Sequence, residues 1–248
     1  MDVGSSTRGA PVVIVGVSGG VGRALCEALV ADARFGRVFG LSRCRPKDWV
    51  DGYDKHWLPV DILDEATVLE AAAIVSEDGS PSRIIVATGM LHGPDLSPEK
   101  SMRMLDPDHL ATLFAVNAIG PALVAKHFLP LTPRTGSSHF AVLSARVGSI
   151  GDNQLGGWHS YRMSKAALNM LVRSLAIEHR RTHPDAVCVA LHPGTVDTAL
   201  SAPFQRQVGV DKLFTPAQAA HCLLGILDRL EPEDTGGFFA WDGQAIPW

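Results

Sequence analysis

Tyr161 and Lys165 are the two residues whose types and spacing are best suited to proton chemistry. Residues four apart lie one turn apart on the same face of a helix, and the apolar residues between Ala166 and Ile177 recur at helical spacing. A phenol has a pKa of about 10, and a nearby ammonium favours the phenolate. The pair would therefore suit general acid/base catalysis. On the motif alone, a solvated helix face with an unrelated tyrosine is an equally good interpretation.

A glycine-rich turn near the N-terminus predicts a phosphate-binding site. The apolar run Pro11–Val15 predicts a strand buried on both faces, and Gly16, Gly20 and Gly22 follow it and open a helix. Glycines there permit positive φ and let the backbone approach a pyrophosphate at the helix N-terminus. A tight strand-to-helix turn without a ligand is the alternative.

The end of the second predicted strand, Val38–Leu41, indicates which dinucleotide would bind. Ser42 lies 20 residues after Gly22, where a dinucleotide fold places the residue that contacts the ribose. An acidic residue there would favour NAD, whereas Ser42 and Arg43 favour the 2′-phosphate of NADP. NADP(H) is therefore the predicted cofactor and NAD(H) stays possible. A solvated basic loop is the alternative.

The remaining pattern alternates strands with helices and predicts an α/β fold. The predicted strands are His56–Val60, Arg83–Ala87, Ser138–Leu143, Asp185–Leu191 and Gly237–Ala240. We expect a single doubly wound (Rossmann) domain over residues 11–248, with a mostly parallel sheet of about seven strands and helices on both faces. Residues 1–10 are expected to be a flexible N-terminus, and residues 199–214 a mobile substrate lid.

Several polar residues have open interpretations. Asn117 lies within a long predicted helix, Asp106–Leu129, where asparagine is unfavourable, so it has either a water or backbone partner or simple exposure. Asp61 would contact adenine or cap the helix that begins near Asp64. A Pro-Gly turn after His192 lies on the rim where α/β sheets bind ligands.

Composition excludes several classes of protein. The 248 residues are 46% hydrophobic, with a net charge of −4 and no long basic run, so no nucleic-acid partner is expected. The longest apolar runs are strand-sized, so no membrane segment is expected, and scattered cysteines favour a reducing, cytoplasmic location. His179 and His183 have the spacing of a zinc pair but no clear third ligand, so no metal site is predicted.

With these motifs placed, the sequence resembles the short-chain dehydrogenase/reductase family over essentially its whole length. More narrowly, it is similar to the C-factor (C-signal) group, which is itself similar to carbonyl reductases. The segments that carry this likeness are Ser144–Ile150, Gly156-Gly157, Tyr161–Lys165, His192–Thr198 and the tail Trp241–Trp248.

The resemblance implies a role for each matching residue. Tyr161 would be the general acid/base, Lys165 would hold the nicotinamide ribose and lower the pKa of the phenol, and Asn117 would anchor a water of a proton relay. The implied cofactor-binding residues are Gly16, Ser18, Gly20, Val21 and Gly22 at the pyrophosphate, Asp61 and Ile62 at adenine, and Thr88, Gly89, Pro193, Gly194, Val196 and Thr198 along the rest of the cofactor. The family also implies a homodimer or homotetramer.

The sequence departs from the family at two places. The serine that usually hydrogen-bonds the substrate carbonyl is replaced by Ala145, so Ser144 or Ser149 would have to take its place. A missing donor of this kind costs ~10²–10³ in rate. Val86–Gly89 stands where the family has Asn-Asn-Ala-Gly. The loss of that asparagine is expected to affect the stability of the central sheet more than catalysis.

The expected activity is NADP-dependent hydride transfer between the nicotinamide and a carbonyl or secondary alcohol of a small or medium apolar substrate. The predicted substrate pocket consists of Leu91, His92, Asn153, Trp158, Leu200 and Phe204. A cofactor-binding signalling or redox-sensor protein with little or no turnover is the alternative.

Overall fold

The computed structural model describes residues 9–207, 209 and 212–248. Residues 1–8 of the predicted flexible N-terminus lie outside the described residues. Three positions of the predicted lid, 208, 210 and 211, lie outside them as well.

A seven-stranded sheet forms the centre of the molecule. Its strands are β1 (Val12–Val15), β2 (Val38–Ser42), β3 (Lys55–Pro59), β4 (Arg83–Val86), β5 (Ser138–Leu143), β6 (Ala186–His192) and β9 (Phe238–Ala240). The short strands β7 (Thr195–Val196) and β8 (Leu213–Phe214) form a separate two-stranded sheet. The order in the main sheet is β3-β2-β1-β4-β5-β6-β9, and every neighbouring pair is parallel. The strand order reverses between β1 and β4, so a ligand crevice is expected at the carboxyl ends of these strands.

Helices cover both faces of the sheet. They are α1 (Gly20–Val30), α2 (Glu65–Asp78), α3 (Pro107–Phe114), α4 (Gly120–Phe128), α5 (His159–His179) and α6 (Pro216–Leu227). Successive strand residues point to opposite faces, so Val13 and Val15 pack with α2, α4 and α5, whereas Val12 and Ile14 pack with α1 and α6. The predicted doubly wound α/β fold is confirmed.

The long helix predicted over Asp106–Leu129 is interrupted. It begins as predicted, since the Asp106 side chain accepts hydrogen bonds from the backbone N–H groups of Asp108 and His109. A π-helical turn at Ala115–Ile119 then separates α3 from α4. Pro121 has no N–H to donate to the carbonyl of Asn117, which explains why regular α-helix is not maintained there. Asn117 is completely buried, so its interpretation as an exposed residue is wrong.

The helical run Pro107–Leu131 is long and apolar enough to span a membrane on length and composition alone. In this structure Val124, Ala125 and Phe128 of the run belong to the main core, and Leu113 packs beside Tyr161. The run therefore occupies the position of a core helix against the sheet.

Side chains cap the starts of α2 and α6. Asp64, and not Asp61, caps α2 by accepting from the Ala66 N–H at 3.1 Å, so the interpretation of Asp61 as the cap is wrong. Thr215 forms a capping box with Gln218 at the start of α6. The segment predicted as a lid contains a 3₁₀ helix at Ala202–Gln207, and it ends in β8, which pairs with β7.

The possible zinc pair has another arrangement. The rings of His179 and His183 stack at 4.0 Å, and His179 Nε2 lies 3.1 Å from the Thr132 hydroxyl. Within the described ranges, no group of three His, Cys, Asp or Glu side chains is placed to hold a metal ion.

His139 should make the fold sensitive to acid. Burial and the positive charge of Arg83, its neighbour across the sheet, lower the pKa of His139 to about 4. Between pH 6.5 and 4 the unfolded chain binds a proton that the folded protein does not, so the free energy of unfolding falls as pH falls through this window. This one group contributes up to about 3 kcal/mol.

The measurement is denaturant unfolding at pH 6.5 and pH 4 for the parent, His139→Phe and the control His221→Gln, which replaces an exposed histidine. His139→Phe should lose less stability on acidification than the parent, and His221→Gln should behave like the parent. Equal losses for all three proteins would refute this assignment.

Candidate active site

The paired Tyr161 and Lys165 side chains lie inside the protein near the start of α5. Tyr161 is 6% and Lys165 is 3% exposed, so the interpretation of a solvated helix face is wrong. The ammonium of Lys165 lies 5.9 Å from the centre of the Tyr161 ring and donates a hydrogen bond to the Leu143 carbonyl at 2.9 Å. The carboxyl end of β5 therefore fixes the lysine, and α5 fixes the tyrosine beside it.

The pKa values of the pair are governed by burial. Burial raises the pKa of the Tyr161 phenol above its ordinary value and lowers the pKa of Lys165 to about 8. The sequence alone suggested that Lys165 would lower the pKa of the phenol. In this structure loss of water contact has the larger effect, because the phenolate would be formed in an apolar site.

A single cavity of about 790 Å³ joins this pair to the glycine turn. Predicted site residues along its wall are Gly20, Val21, Gly22, Thr88, Gly89, Ser144, Tyr161, Lys165, Pro193, Gly194, Val196 and Thr198. The cavity runs along the carboxyl edge of the sheet, at the point where the strand order reverses. One continuous space therefore contains both the predicted phosphate-binding turn and the predicted proton donor.

Two glycines in the turn have no room for a side chain. Gly16 has φ +100°, and a Cβ added at Gly22 would lie 2.3 Å from the Gly16 carbonyl oxygen. The N-terminus of α1 can therefore approach β1 closely and direct its backbone N–H groups into the cavity. Gly19 also lines the cavity, although it falls outside the three-glycine pattern from which the site was predicted.

Ser42 and Arg43 lie outside the cavity wall, and they differ in whether their side chains are free to bind a ribose or its 2′-phosphate. The Ser42 hydroxyl is buried, donates to the Cys44 carbonyl at 2.8 Å and accepts from the Trp57 indole N–H at 3.1 Å. Arg43 is exposed and, within the part of the chain that the structure describes, makes no hydrogen bond or ion pair. Of the two predicted readers of the ribose, the guanidinium is the group that remains available.

The predicted adenine contacts also lie outside the cavity wall. Asp61 Oδ1 accepts from the Leu63 N–H at 3.0 Å, and Ile62 is 8% exposed. Ile62 packs against the start of α4, where a Cβ at Gly120 would lie 2.5 Å from its Cδ1. Ser18 is exposed beside the glycine turn.

Asn117 holds the loop after β4 against α5. Its side chain accepts from the Met90 N–H at 2.8 Å, donates to the Met90 carbonyl at 2.8 Å, and donates to the Ser164 hydroxyl at 3.0 Å. A Cβ placed on Gly89 would lie 3.5 Å from Lys165 Nζ and 3.6 Å from Asn117 Oδ1, so these groups are close neighbours. The partner predicted for this buried asparagine is thus a backbone segment, and its role as a water anchor stays a prediction.

Neither candidate serine has a hydroxyl proton free for a substrate carbonyl. Ser144 donates to Asn169 Oδ1 at 2.6 Å, and Ser149 donates to the Pro247 carbonyl. Ser149 also lies outside the cavity wall, whereas Ala145 packs in the apolar cluster around Tyr161. A methyl group thus stands at the position to which the resemblance assigns the family's serine.

Two polar atoms are buried at the cavity, one on the predicted residue Thr88 and one on His192, to which the sequence assigned no role. Thr88 Oγ1 and His192 Nδ1 have no hydrogen-bond partner among the described residues. Burial lowers the pKa of His192 to about 4, so its imidazole is neutral near neutral pH. The local sequence does not indicate that these atoms lack partners, because Thr88 follows β4 and His192 ends β6, strands whose other residues are buried.

Aromatic rings form the wall of the cavity beyond Tyr161. The Trp158 ring lies 6.3 Å from Tyr161 and 5.0 Å from Phe204, and Phe204 lies 5.8 Å from His92. Leu91 and Leu200 also line this end, as predicted, but Asn153 does not; Gln154 and Leu155 lie there instead. This end of the cavity is therefore mainly apolar.

The turn at Pro193-Gly194 is supported from behind by aromatic side chains. Gly194 has φ +77°, and a Cβ there would lie 2.7 Å from the Phe214 ring. Phe214 in turn packs edge-on against Trp241 at 4.7 Å. The end of the predicted lid and the C-terminal segment thus fix the position of this rim.

Replacing Asn117 with alanine should destabilise the protein. The change removes three hydrogen bonds and leaves backbone groups of Met90 unpaired, at a cost of about 2–4 kcal/mol in the free energy of unfolding. Asn153→Ala is the matched control, because Asn153 makes one exposed contact with Gly156 and should cost less than about 1 kcal/mol. Urea unfolding measures both; equal effects would contradict the role given to Asn117.

Comparison with known proteins agrees with this geometry. Residues 10–209 match the family described as short chain dehydrogenase. A 1-hydroxy-2-glutathionyl-2-methyl-3-butene dehydrogenase of Rhodococcus sp. (strain AD45) is 32% identical over 189 residues, covering 76% of this chain and 78% of that protein. The C-signal protein of Myxococcus xanthus is 37% identical over 145 residues, covering 58% of this chain and 81% of that protein.

The structure is also similar to a solved enzyme over nearly its full length. The NADPH-bound carbonyl reductase from chicken fatty liver superposes with a TM-score of 0.80 at 25% identity, covering 97% of this chain and 100% of that one.

Proposed function

Because this chain belongs to the short-chain dehydrogenase family, we propose that it is an NADP(H)-dependent oxidoreductase acting on a carbonyl or secondary alcohol. The observation that carries the proposal is the single cavity that the glycine turn and the buried Tyr161–Lys165 pair both line. The similar carbonyl reductase with bound NADPH supports the choice of cofactor.

The residues present fit a dinucleotide. Gly19–Gly22 line the cavity without side chains, and a Cβ at Gly22 would collide with the Gly16 carbonyl. Arg43 has a guanidinium with no partner among the described residues. Gly19–Gly22 would hold the pyrophosphate, Arg43 the 2′-phosphate, and Thr88, Gly89 and the segment Pro193–Thr198 the nicotinamide half. The bound cofactor would supply or accept the hydride.

Tyr161 would supply the proton in carbonyl reduction. Since burial raises its pKa, the phenol is protonated near neutral pH and can donate to the substrate oxygen. Lys165, fixed by the Leu143 carbonyl, would stabilise the phenolate that remains. In alcohol oxidation the same groups would act in reverse.

The substrate would be a small or medium apolar carbonyl compound. Trp158, Phe204 and Leu91 form an apolar wall next to Tyr161, which favours burial of hydrocarbon or aromatic surface. Assembly as a homodimer or homotetramer and a cytoplasmic location are further proposals, which rest on the family resemblance and on composition.

A cofactor-binding protein with little turnover is the second candidate function. The occupied hydroxyls of Ser144 and Ser149 favour it, because the substrate carbonyl would lack its usual donor. The buried Tyr161–Lys165 pair favours the enzyme, since binding alone does not require a proton donor.

Replacing Tyr161 with phenylalanine should separate the two functions. Loss of the hydroxyl should lower the rate of NADPH oxidation with apolar aldehydes and ketones by at least about 100-fold while NADPH binding persists. The matched control is Tyr53→Phe, which changes the second tyrosine of the chain, 68% exposed, and should leave the rate unchanged. If Tyr161→Phe turns over like the parent while both bind NADPH, the enzyme proposal is wrong.

Arg43→Ala should weaken binding of NADPH but not of NADH. Losing a charge-assisted contact with the 2′-phosphate costs about 1.5–3 kcal/mol, which is about 10- to 100-fold in Kd. Fluorescence titration measures both nucleotides, and Arg45→Ala is the control because Arg45 already pairs with Asp51 at 2.5 Å. Equal loss for NADPH and NADH, or no loss for either, would contradict the role of Arg43.

A further inference from the structure

Glu99 lies in the loop between β4 and α3, yet it contacts the beginning of α5, 61 residues further along the chain. Its side chain is 2% exposed, and it accepts hydrogen bonds from both the backbone N–H of Ser160, at 3.2 Å, and the Ser160 hydroxyl. Its backbone carbonyl accepts from the Trp158 N–H at 2.6 Å. Glu99 therefore binds two residues at the start of α5, Trp158 through its backbone and Ser160 through its side chain.

The N-terminus of α5 has no cap of its own. Trp158 is at the N-cap position, where its side chain cannot accept a hydrogen bond, and it has φ 51° and ψ 42°. It is the one non-glycine residue with positive φ among the described residues, so its backbone is strained. Acceptors are required at this helix end, and a carboxyl group near a helix N-terminus is electrostatically favourable. Glu99 supplies what the local sequence lacks.

The segment that Glu99 holds carries the proposed proton donor. Tyr161 follows Ser160 directly, and the Trp158 ring packs against both Tyr161 and Phe204. Loss of the Glu99 side chain would thus release Ser160 and shift the adjacent phenol, while the backbone contact with Trp158 would be retained. The glycine turn belongs to another element, the start of α1, and among the described residues it makes no hydrogen bond with Glu99, Trp158 or Ser160.

We propose that Glu99 is a positioning residue for the active site, which holds Tyr161 and Trp158 in place through Ser160 and the Trp158 N–H. The expected effect on kcat rests on the proposed reductase function. The expected effect on the conformation of the start of α5 does not. Asn117 and Glu99 then fix the two ends of the loop Met90–Glu99, the first against α5 at Ser164 and the second against α5 at Ser160.

The test compares Glu99→Ala, Glu99→Gln and Ser160→Ala with the parent, with Asp95→Ala as the control because Asp95 is an exposed carboxylate on the same loop. Glu99→Ala should lower kcat for carbonyl reduction by about 10- to 100-fold, since small displacements of a catalytic group have effects of this size. NADPH affinity should stay within about twofold of the parent value, because the glycine turn is not involved. Glu99→Gln keeps an acceptor for Ser160 and should recover most of the loss.

Hydrogen exchange of the backbone amides provides a readout that needs no turnover. In Glu99→Ala and Ser160→Ala the amides of Ser160–Arg162 should exchange at least about tenfold faster, while those of Leu168–Ala176 stay protected. Ser160→Ala covers the case in which Glu99→Ala does not fold, because it removes the side-chain contact from the other partner.

The outcomes distinguish this inference from the proposed function. If the two variants exchange faster than the parent at Ser160–Arg162 but the parent reduces no carbonyl, the structural role is upheld and the reductase proposal is refuted. Unchanged kcat and unchanged exchange in both Glu99→Ala and Ser160→Ala would overturn the role of Glu99. Loss of NADPH binding in parallel with kcat would also overturn it, because the effect would then be general instability.

Discussion

The burial of the Lys165 ammonium at the carboxyl end of β5 is the constraint on which the rest of the site depends. A cation that is 3% exposed requires polar partners, and the Leu143 carbonyl provides one at 2.9 Å. Close approach of α5 to the turn after β5 is also needed, and a Cβ on Gly148 would lie 2.7 Å from the Cβ of Lys165. On the other side of Nζ, a Cβ on Gly89 would lie 3.5 Å away, in van der Waals contact, so the lysine is closely packed there too.

The π-helical turn also helps to fix the position of α5, which carries Tyr161 and Lys165. By breaking the regular helix at Ala115–Ile119, the chain directs Asn117 inward, where it fixes the Met90 backbone and Ser164 of the Tyr161 helix. The loop that follows β4 is thereby tied to α5. Because β4 lies next to β1 in the sheet, the glycine turn and the Tyr161–Lys165 pair meet along one edge.

Local patterns in the sequence were sufficient to predict most of the regular elements, although the π-helical turn inside the predicted helix Asp106–Leu129 was not predicted. The bounds of β5 and the alternation that gives a parallel sheet depend on near neighbours in the chain. The contacts that complete the site depend on distant ones: Asn117 meets a residue 27 positions away, and Glu99 meets one 61 positions away. Periodicity carries no information about such pairs. The occupied hydroxyl of Ser144 could not be predicted for the same reason, since its acceptor Asn169 lies on another element.

The pH dependence of carbonyl reduction at saturating NADPH and substrate tests the central claim most directly, because it reports the protonation of the buried pair. Burial keeps the phenol protonated and lowers the pKa of Lys165 to about 8, so the amine becomes neutral above this pH and no longer stabilises the phenolate. The kcat should therefore be constant through neutral pH and fall above about pH 8. A kcat that stays constant from pH 8 to 10, or one that has already fallen by half below about pH 7, would contradict this expectation.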